Sequence, residues 1–124
     1  MSNSDPSDAL TIERHGNLTL VAATPALEAI DASLEREVAD LIMSSVREQD
    51  DPLVLFDLTE VSYFGSMFLA VMLRCWKLTT ARGGTMALAG VSQHARELLR
   101  VTALDMIWPM YATRREAMDA LLSD

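Results

Sequence analysis

The sequence predicts an α/β fold: a single domain with a mixed sheet of about five strands and helices packed mainly on one face. Three observations support this prediction. The 124 residues are enough for one hydrophobic core and too few for two. Helical and strand patterns alternate after an initial hairpin, as is typical of layered α/β domains. The run Val54–Phe56 is apolar without polar alternation, which indicates a strand covered on both faces.

The start of the chain predicts a polar leader followed by a hairpin. Residues 1–9 are expected to be disordered, so that the domain spans 10–124. Leu10–Glu13 and Leu18–Ala22 predict two short strands, and His15-Gly16-Asn17 between them has the composition of a tight turn.

Two long helices are predicted, one before and one after the central strand in the sequence. Ser33 is expected to cap the first, which runs to about Gln49 and ends before Asp50-Asp51-Pro52. Its apolar face repeats at helical spacing: Leu34, Val38, Leu41, Ile42 and Ser45. The second is predicted over Met67–Ala81, and Gly83-Gly84 follows at the place of a C-cap.

The last third of the chain predicts two further strands, each followed by a helix. Thr85–Ala89 is a short apolar strand, and Ser92 is placed to cap a helix over Gln93–Val101. Met106–Tyr111 is predicted as an edge strand because it contains a proline. Thr113 opens a Thr-x-x-Glu capping box before the last helix.

A short polar turn joins the central strand to its long helix. Asp57 and Thr59 end the strand, and Ser66 stands just before the apolar helix, where an N-cap is expected. Gly65 before it is free to adopt a positive φ and sharpen the turn. We expect the turn to be accessible to solvent. Its serine is either a simple cap or a site for a charge-changing modification.

These motifs resemble those of STAS domains, specifically the bacterial anti-sigma factor antagonists. Asp57-Leu58-Thr59 is similar to the family's Asp-Leu-Ser/Thr, and Ser66 matches the serine that a partner kinase phosphorylates. Leu98–Asp105 is similar to the family's Leu-Leu…Thr-Gly-Leu-Asp motif. The resemblance covers roughly residues 10–122. It implies the STAS fold and a regulator that acts by partner switching.

The chain departs from the family's Asp-Ser-Ser/Thr-Gly tetrad at three positions. Gly65, Met67 and Phe68 replace its aspartate, its second hydroxyl residue and its glycine. The resemblance implies an anti-sigma factor/serine kinase as partner, docking at the turn and phosphorylating Ser66. The partner-binding residues expected from this are Asp57, Thr59, Gly65, Ser66, Met67 and Val71. A STAS scaffold without phosphorylation, or a ligand-binding or lipid-binding signalling module, is the alternative.

A helical projection from Ser66 at about 100° per residue separates the faces of the long helix. The residues predicted to face the sheet are Phe68, Leu69, Met72, Cys75 and Trp76. Met67, Val71 and Leu78 fall on the flank, where we expect partial exposure. They are interpreted either as packing against a neighbouring helix or as a docking patch beside Ser66.

Composition and missing motifs exclude several classes of function. A net charge of −8 argues against nucleic-acid binding, which needs clustered Lys and Arg. Cys75 is the only cysteine and is expected to be inert packing, and His15 and His94 lie far apart. The absence of phosphate-binding and nucleophile motifs predicts a protein that is not an enzyme, with no cofactor and no metal. The longest apolar run is far shorter than a membrane-spanning helix, which needs about 20 residues. No signal peptide is visible. We therefore expect a cytoplasmic protein; a homo-oligomer is compatible with the sequence.

Overall fold

A five-stranded mixed sheet forms the centre of the computed structural model, which describes residues 6–123. The strands lie in sequential order: β1 (Leu10–His15), β2 (Leu18–Ala23), β3 (Leu53–Asp57), β4 (Thr85–Ala89) and β5 (Met110–Tyr111). β1 and β2 pair antiparallel as the predicted hairpin, and the other neighbours pair parallel. This confirms the predicted mixed sheet of five strands.

Helix α1 (Pro6–Ala9) precedes β1. Helices α2 (Ala32–Arg47), α3 (Ser66–Ala81) and α4 (Gln93–Val101) connect successive parallel strands, and α5 (Arg114–Leu122) follows β5. Short 3-10 turns cover Pro25–Ala29 and Leu104–Met106. Because α2, α3, α4 and α5 each follow a strand of the parallel set, their N-termini gather at the carboxyl edge of the sheet.

The central strand is buried on both faces, as its uninterrupted apolar run predicts. Val54 and Phe56 belong to the large core beneath α2, α3 and α4. Leu55 points to a smaller cluster on the opposite face, where Ala117 of α5 also packs. Helices therefore lie mainly on one face, and α5 alone among the longer helices covers the other.

The prediction of a disordered leader over residues 1–9 is wrong for its last part. Pro6–Ala9 forms one helical turn, and Ala9 is buried in the main core. Thr24 holds this turn, since its backbone N–H donates to the carbonyl of Ala9 at 2.8 Å. Residues 1–5 lie outside the described part of the chain.

Two other boundaries differ from the prediction. Asp31, not Ser33, caps α2: its carboxylate accepts the Leu34 N–H at 2.9 Å, and the helix therefore starts earlier. Only Met110–Tyr111 of the predicted strand over 106–111 pairs with β4. The preceding segment turns so that Trp108 enters the core, with only 1% of its surface exposed.

The remaining helix ends agree with their sequence signals. The hydroxyls of Ser92 and Thr113 accept the N–H groups of Ala95 and Glu116, both at 3.1 Å. Gly83, at φ 79°, follows α3, and the Gly83 and Gly84 N–H groups donate to carbonyls of the last helical turn. These caps fix where each helix meets the sheet.

Candidate functional site

The candidate site lies at the carboxyl edge of the parallel strands. The segment 58–65 runs along this edge between the end of β3 and the start of α3. Open α/β sheets present their binding surfaces at this edge, because the loops and the helix N-termini converge there. The site is therefore built from the ends of β3 and β4 and the first turns of α3, α4 and α5.

Ser66 is the first residue of α3, and it is exposed. Its predicted accessibility and its position within one residue of the helix start are both confirmed. The N-cap position itself is occupied by Gly65, which provides no side-chain hydrogen bond to the helix. The alternative in which Ser66 serves as the cap is therefore wrong. The positive φ expected for Gly65 is also wrong, since its φ is −101°, in the extended region that N-caps adopt.

Asp57 anchors the base of the turn. Its carboxylate accepts the Thr59 N–H at 3.0 Å, the Thr59 hydroxyl at 2.6 Å and the Arg114 Nε at 2.7 Å. Burial alone raises the pKa of Asp57, but the bonds from Thr59 and the Arg114 guanidinium outweigh it and lower the pKa below its usual value. Asp57 is thus a buried, charged residue that ties β3, the turn and α5 together.

Gly90 lets the end of β4 approach this turn. A Cβ at this position would lie 2.2 Å from the Thr59 hydroxyl, and the backbone has φ 68°. Both conditions require glycine. The Leu58 N–H also donates to the Ala89 carbonyl at 2.8 Å. The first half of the segment is consequently fixed against β4.

The two flank residues proposed for docking have different environments. Met67 is 39% exposed, in agreement with its predicted place on the surface. Val71 is completely buried, so the expectation that it is partly exposed is wrong. Here α2 packs directly against α3, which confirms for Val71 the alternative interpretation, packing against a neighbouring helix. Of the residues predicted to face the sheet, Leu69 and Trp76 are only partly buried.

The second half of the segment is held by residues that sequence reasoning did not assign to the site. The Ser62 N–H donates to the Glu28 carboxylate at 3.0 Å, and the Ser92 hydroxyl donates to the Ser62 carbonyl at 2.6 Å. The rings of Tyr63 and His94 lie 4.6 Å apart. Local sequence signals identify Ser92 only as a helix cap, and nothing in the sequence indicates the long-range contact of Glu28.

The turn itself has little room for a small molecule. A cavity of about 160 Å³ lies beside Asp57, lined by Ala22, Ala23, Asp57, Thr59, Glu60 and Arg114. In residues 6–123, no three His, Cys, Asp or Glu side chains group as ligands for a metal ion. In the same part of the chain, no helix has the length and apolar character to span a bilayer. What the edge offers is an exposed surface.

The family model of the STAS domain matches residues 9–117. The chain belongs to the STAS domain family. The resemblance found in the motifs of β3 and α3 is thereby confirmed. No protein with a curated function matches the chain in sequence.

Solved STAS structures share this fold. An anti-sigma-factor antagonist (STAS) domain protein from Planctomyces limnophilus has a TM-score of 0.81 and 28% identity, over 92% of this chain and 98% of its own. A putative anti-sigma factor antagonist from Thermotoga maritima has a TM-score of 0.78 and 17% identity, over 92% and 95%. The anti-sigma factor antagonist SpoIIAA in its unphosphorylated form has a TM-score of 0.77 and 18% identity, over 90% and 95%.

In this STAS domain, the six residues expected to bind a partner divide into two groups. Thr59, Ser66 and Met67 are exposed at the carboxyl edge, with Gly65 partly exposed between them. Asp57 and Val71 are buried, so neither offers its side chain to a partner of the folded domain. Asp57 instead shapes the turn from below.

Proposed function

We propose that this STAS domain is an anti-sigma factor antagonist-like regulator that acts by partner switching. In its unmodified form it docks, through the turn around Ser66, onto an anti-sigma factor that is also a serine kinase. Phosphorylation of Ser66 by this kinase ends the contact. The proposal describes a cytoplasmic bacterial regulator of transcription that has no enzymatic activity of its own.

The exposed Ser66 hydroxyl on the first turn of α3 carries the proposal. The first N–H groups of a helix have no acceptor within the helix, and here the earliest bond is from the Leu69 N–H to the Gly65 carbonyl at 3.1 Å. Asp31, Ser92 and Thr113 provide side-chain caps for α2, α4 and α5, whereas α3 has none. A phosphate on Ser66 would therefore lie beside unpaired donors and the positive end of the helix dipole.

This geometry predicts that the modification acts on the interface and not on the fold. A phosphate adds about −1.5 to −2 charges at pH 7. At the helix start it is stabilised locally, but in a contact that includes the apolar Met67 side chain it must lose its water. A loss of about 3 kcal/mol in binding would weaken the complex roughly a hundredfold.

A STAS scaffold without phosphorylation is the second candidate, and the turn itself supports it. Gly65, Met67 and Phe68 replace three of the four residues in the family's usual tetrad, and Phe68 is buried in the core. A ligand-binding module has less support. The cavity beside Asp57, of about 160 Å³, is smaller than the roughly 300–1,000 Å³ of typical small-molecule sites. A pocket of about 570 Å³ along α5 is within that range, but none of the residues of the turn lines it.

Intact-mass measurement after incubation with ATP and the cognate serine kinase tests the proposal. We expect the mass of one phosphate to be added to the wild-type chain and to Ser62→Ala, but not to Ser66→Ala. Ser62 is the matched control because it is a second exposed serine of the same turn. Unmodified wild-type chain under conditions in which the kinase phosphorylates another substrate would favour the scaffold.

A further inference from the structure

Residues beside Ser66 extend the proposed docking surface. We propose that Tyr63 is a second anchor for the anti-sigma partner, and that the first turn of α4 positions it through Ser92 and His94. This inference rests on the proposed function, because it concerns the same partner and the same edge of the sheet. It adds a contact residue and two positioning residues that neither the family match nor the sequence motifs identify.

Both backbone polar groups of Ser62 are bound by side chains from other elements. Its N–H donates to Glu28, on the 3-10 turn before α2, at 3.0 Å. Its carbonyl accepts the hydroxyl of Ser92, at the start of α4, at 2.6 Å. Exposed loop backbone usually bonds to water, so this double attachment fixes the residue that immediately precedes Tyr63.

Ser92 performs two tasks with one hydroxyl. Its oxygen accepts the Ala95 N–H at 3.1 Å and caps α4, while its proton is donated to the Ser62 carbonyl. A hydroxyl has one proton and two lone pairs, so both bonds form together. The start of α4 and the conformation of the turn are therefore coupled through this side chain.

The Tyr63 side chain contacts a neighbouring ring and is also exposed. Its ring lies 4.6 Å from the ring of His94 with an interplanar angle of 33°, and 41% of the residue is exposed. Tyrosine at an exposed, pre-ordered position is favoured as a binding anchor, because it buries a large area and loses few rotamers on binding. Stacking on His94 leaves the remaining ring surface open to a partner.

The chemistry around the ring specifies what the partner presents. Tyr63 and Met67 are large exposed side chains on either side of Ser66 in the chain. In the proposed contact they supply the apolar centre. The carboxylates of Glu28 and Glu60 are exposed at the same edge. They match a partner with an apolar side chain at the centre of its contact and basic residues at the rim. A phosphate on Ser66 would lie at the centre of this contact. There, the cost of removing water from the phosphate outweighs its attraction to the basic residues at the partner's rim.

Titration of variants with the ATP-binding serine-kinase anti-sigma factor of the same genome tests the anchor. Tyr63→Ala should weaken binding by about tenfold or more, because it removes the ring. Tyr63→Phe keeps the ring and should bind within about twofold of wild type. Met106→Ala is the control, since Met106 is 84% exposed but lies on the 3-10 turn after α4, away from the edge.

The outcomes separate the anchor from the proposed function. If Tyr63→Ala binds like wild type while Ser66→Asp binds weakly, the anchor is wrong and partner switching stands. If wild type does not bind the kinase, the proposed function and the anchor both fail. Equal losses for Tyr63→Ala and Met106→Ala would also overturn the anchor, because the effect would then not be specific to this edge.

A second measurement tests the positioning role and needs no partner. Ser92→Asp keeps the acceptor that caps α4 but has no proton for the Ser62 carbonyl. For Ser92→Asp we expect an unchanged melting temperature and about tenfold faster amide hydrogen exchange in residues 58–65. The variant Ser92→Thr keeps a hydroxyl proton and should exchange as slowly as wild type. Thr113→Asp makes the same cap change on α5 and should leave the turn unaffected. Unchanged exchange in Ser92→Asp would refute the positioning role.

Discussion

Substitutions of Ser66 should affect the proposed regulation and the local stability differently. As the first helical residue and not the cap, it makes no side-chain bond that α3 depends on. Ser66→Ala should therefore unfold at nearly the wild-type temperature and keep binding the partner. Ser66→Asp should gain about 0.3–1 kcal/mol in the free energy of unfolding from the helix dipole, and lose affinity for the partner. Thermal unfolding and titration calorimetry measure the two effects.

Ser44→Asp is the matched control for this charge. Ser44 is exposed on α2, whose C-terminal half lies away from the carboxyl edge, so the same charge there should leave partner affinity unchanged. A Ser66→Asp chain that binds like wild type would contradict the charge switch. A strongly destabilised Ser66→Ala chain would show instead that the hydroxyl supports the helix.

Asp57 predicts how stability depends on pH. Its pKa is lowered in the folded chain, so its contribution is complete above the unfolded pKa of about 3.9 and is lost as pH falls through the folded pKa. Asp57→Asn should lower the free energy of unfolding by about 1.5 kcal/mol at pH 7. This value is at the low end for hydrogen bonds to charged groups, because Arg114 is partly exposed and water weakens its interaction with Asp57. Denaturant unfolding should show the difference from wild type shrinking below about pH 4.

Asp119→Asn serves as the control for this series, because Asp119 is an exposed carboxylate of α5. Its difference from wild type should stay small at every pH. A constant difference for Asp57→Asn between pH 7 and pH 3 would mean that the effect comes from packing and not from the charge.

Among the secondary-structure elements, α3 has an N-cap residue, Gly65, with no side chain to cap the helix. A Cβ on Gly65 meets nothing within 4 Å, and the backbone there is extended. Gly65→Asp should raise the free energy of unfolding by a few tenths of a kcal/mol, because aspartate caps slightly better than glycine. Gly90→Ala is the contrasting change and should lower it by about 1–3 kcal/mol, because its Cβ would overlap the Thr59 hydroxyl. Denaturant midpoints compare the two, and a destabilised Gly65→Asp would contradict the geometry.

Helix caps and apolar runs allowed much of this fold to be predicted, because they act over a few residues. Ser92, Thr113 and the glycines after α3 ended or began helices where expected. Asp31 shows the limit of such signals: it and Ser33 are both good caps, and tertiary packing selects between them. The segment before β5 had a strand pattern, but burial of Trp108 took precedence over pairing.

The candidate site was only partly predictable, for a different reason. Ser66 and Asp57 lie in a local motif, and the sequence placed both of them near the turn. Glu28 and Arg114 reach the turn from distant parts of the chain, and one sequence contains no signal for such contacts. Val71 was misplaced because a helical projection does not show where a second helix will pack.

For the whole molecule, the packing of α3 against α2 and the sheet separates the exposed carboxyl edge from a protected interior. Cys75 lies on α3 and is fully buried, and this burial raises the pKa of its thiol to about 12. Because the thiolate is the reactive form, an aromatic disulfide reagent should react with Cys75 only through opening of the domain. The labelling rate of the native chain therefore reports the stability of the whole fold.

This rate distinguishes the two flank residues of α3. Val71→Ala removes buried methyl groups between the layers and should lower the free energy of unfolding by about 2 kcal/mol. It should then speed labelling of Cys75 roughly thirtyfold, since the rate follows the open population. Met67→Ala should leave the rate nearly unchanged, because Met67 is exposed and its proposed role is in docking. Labelling that accelerates equally in both variants would show that Met67 is a core residue, and its place in the docking surface would then have to be abandoned.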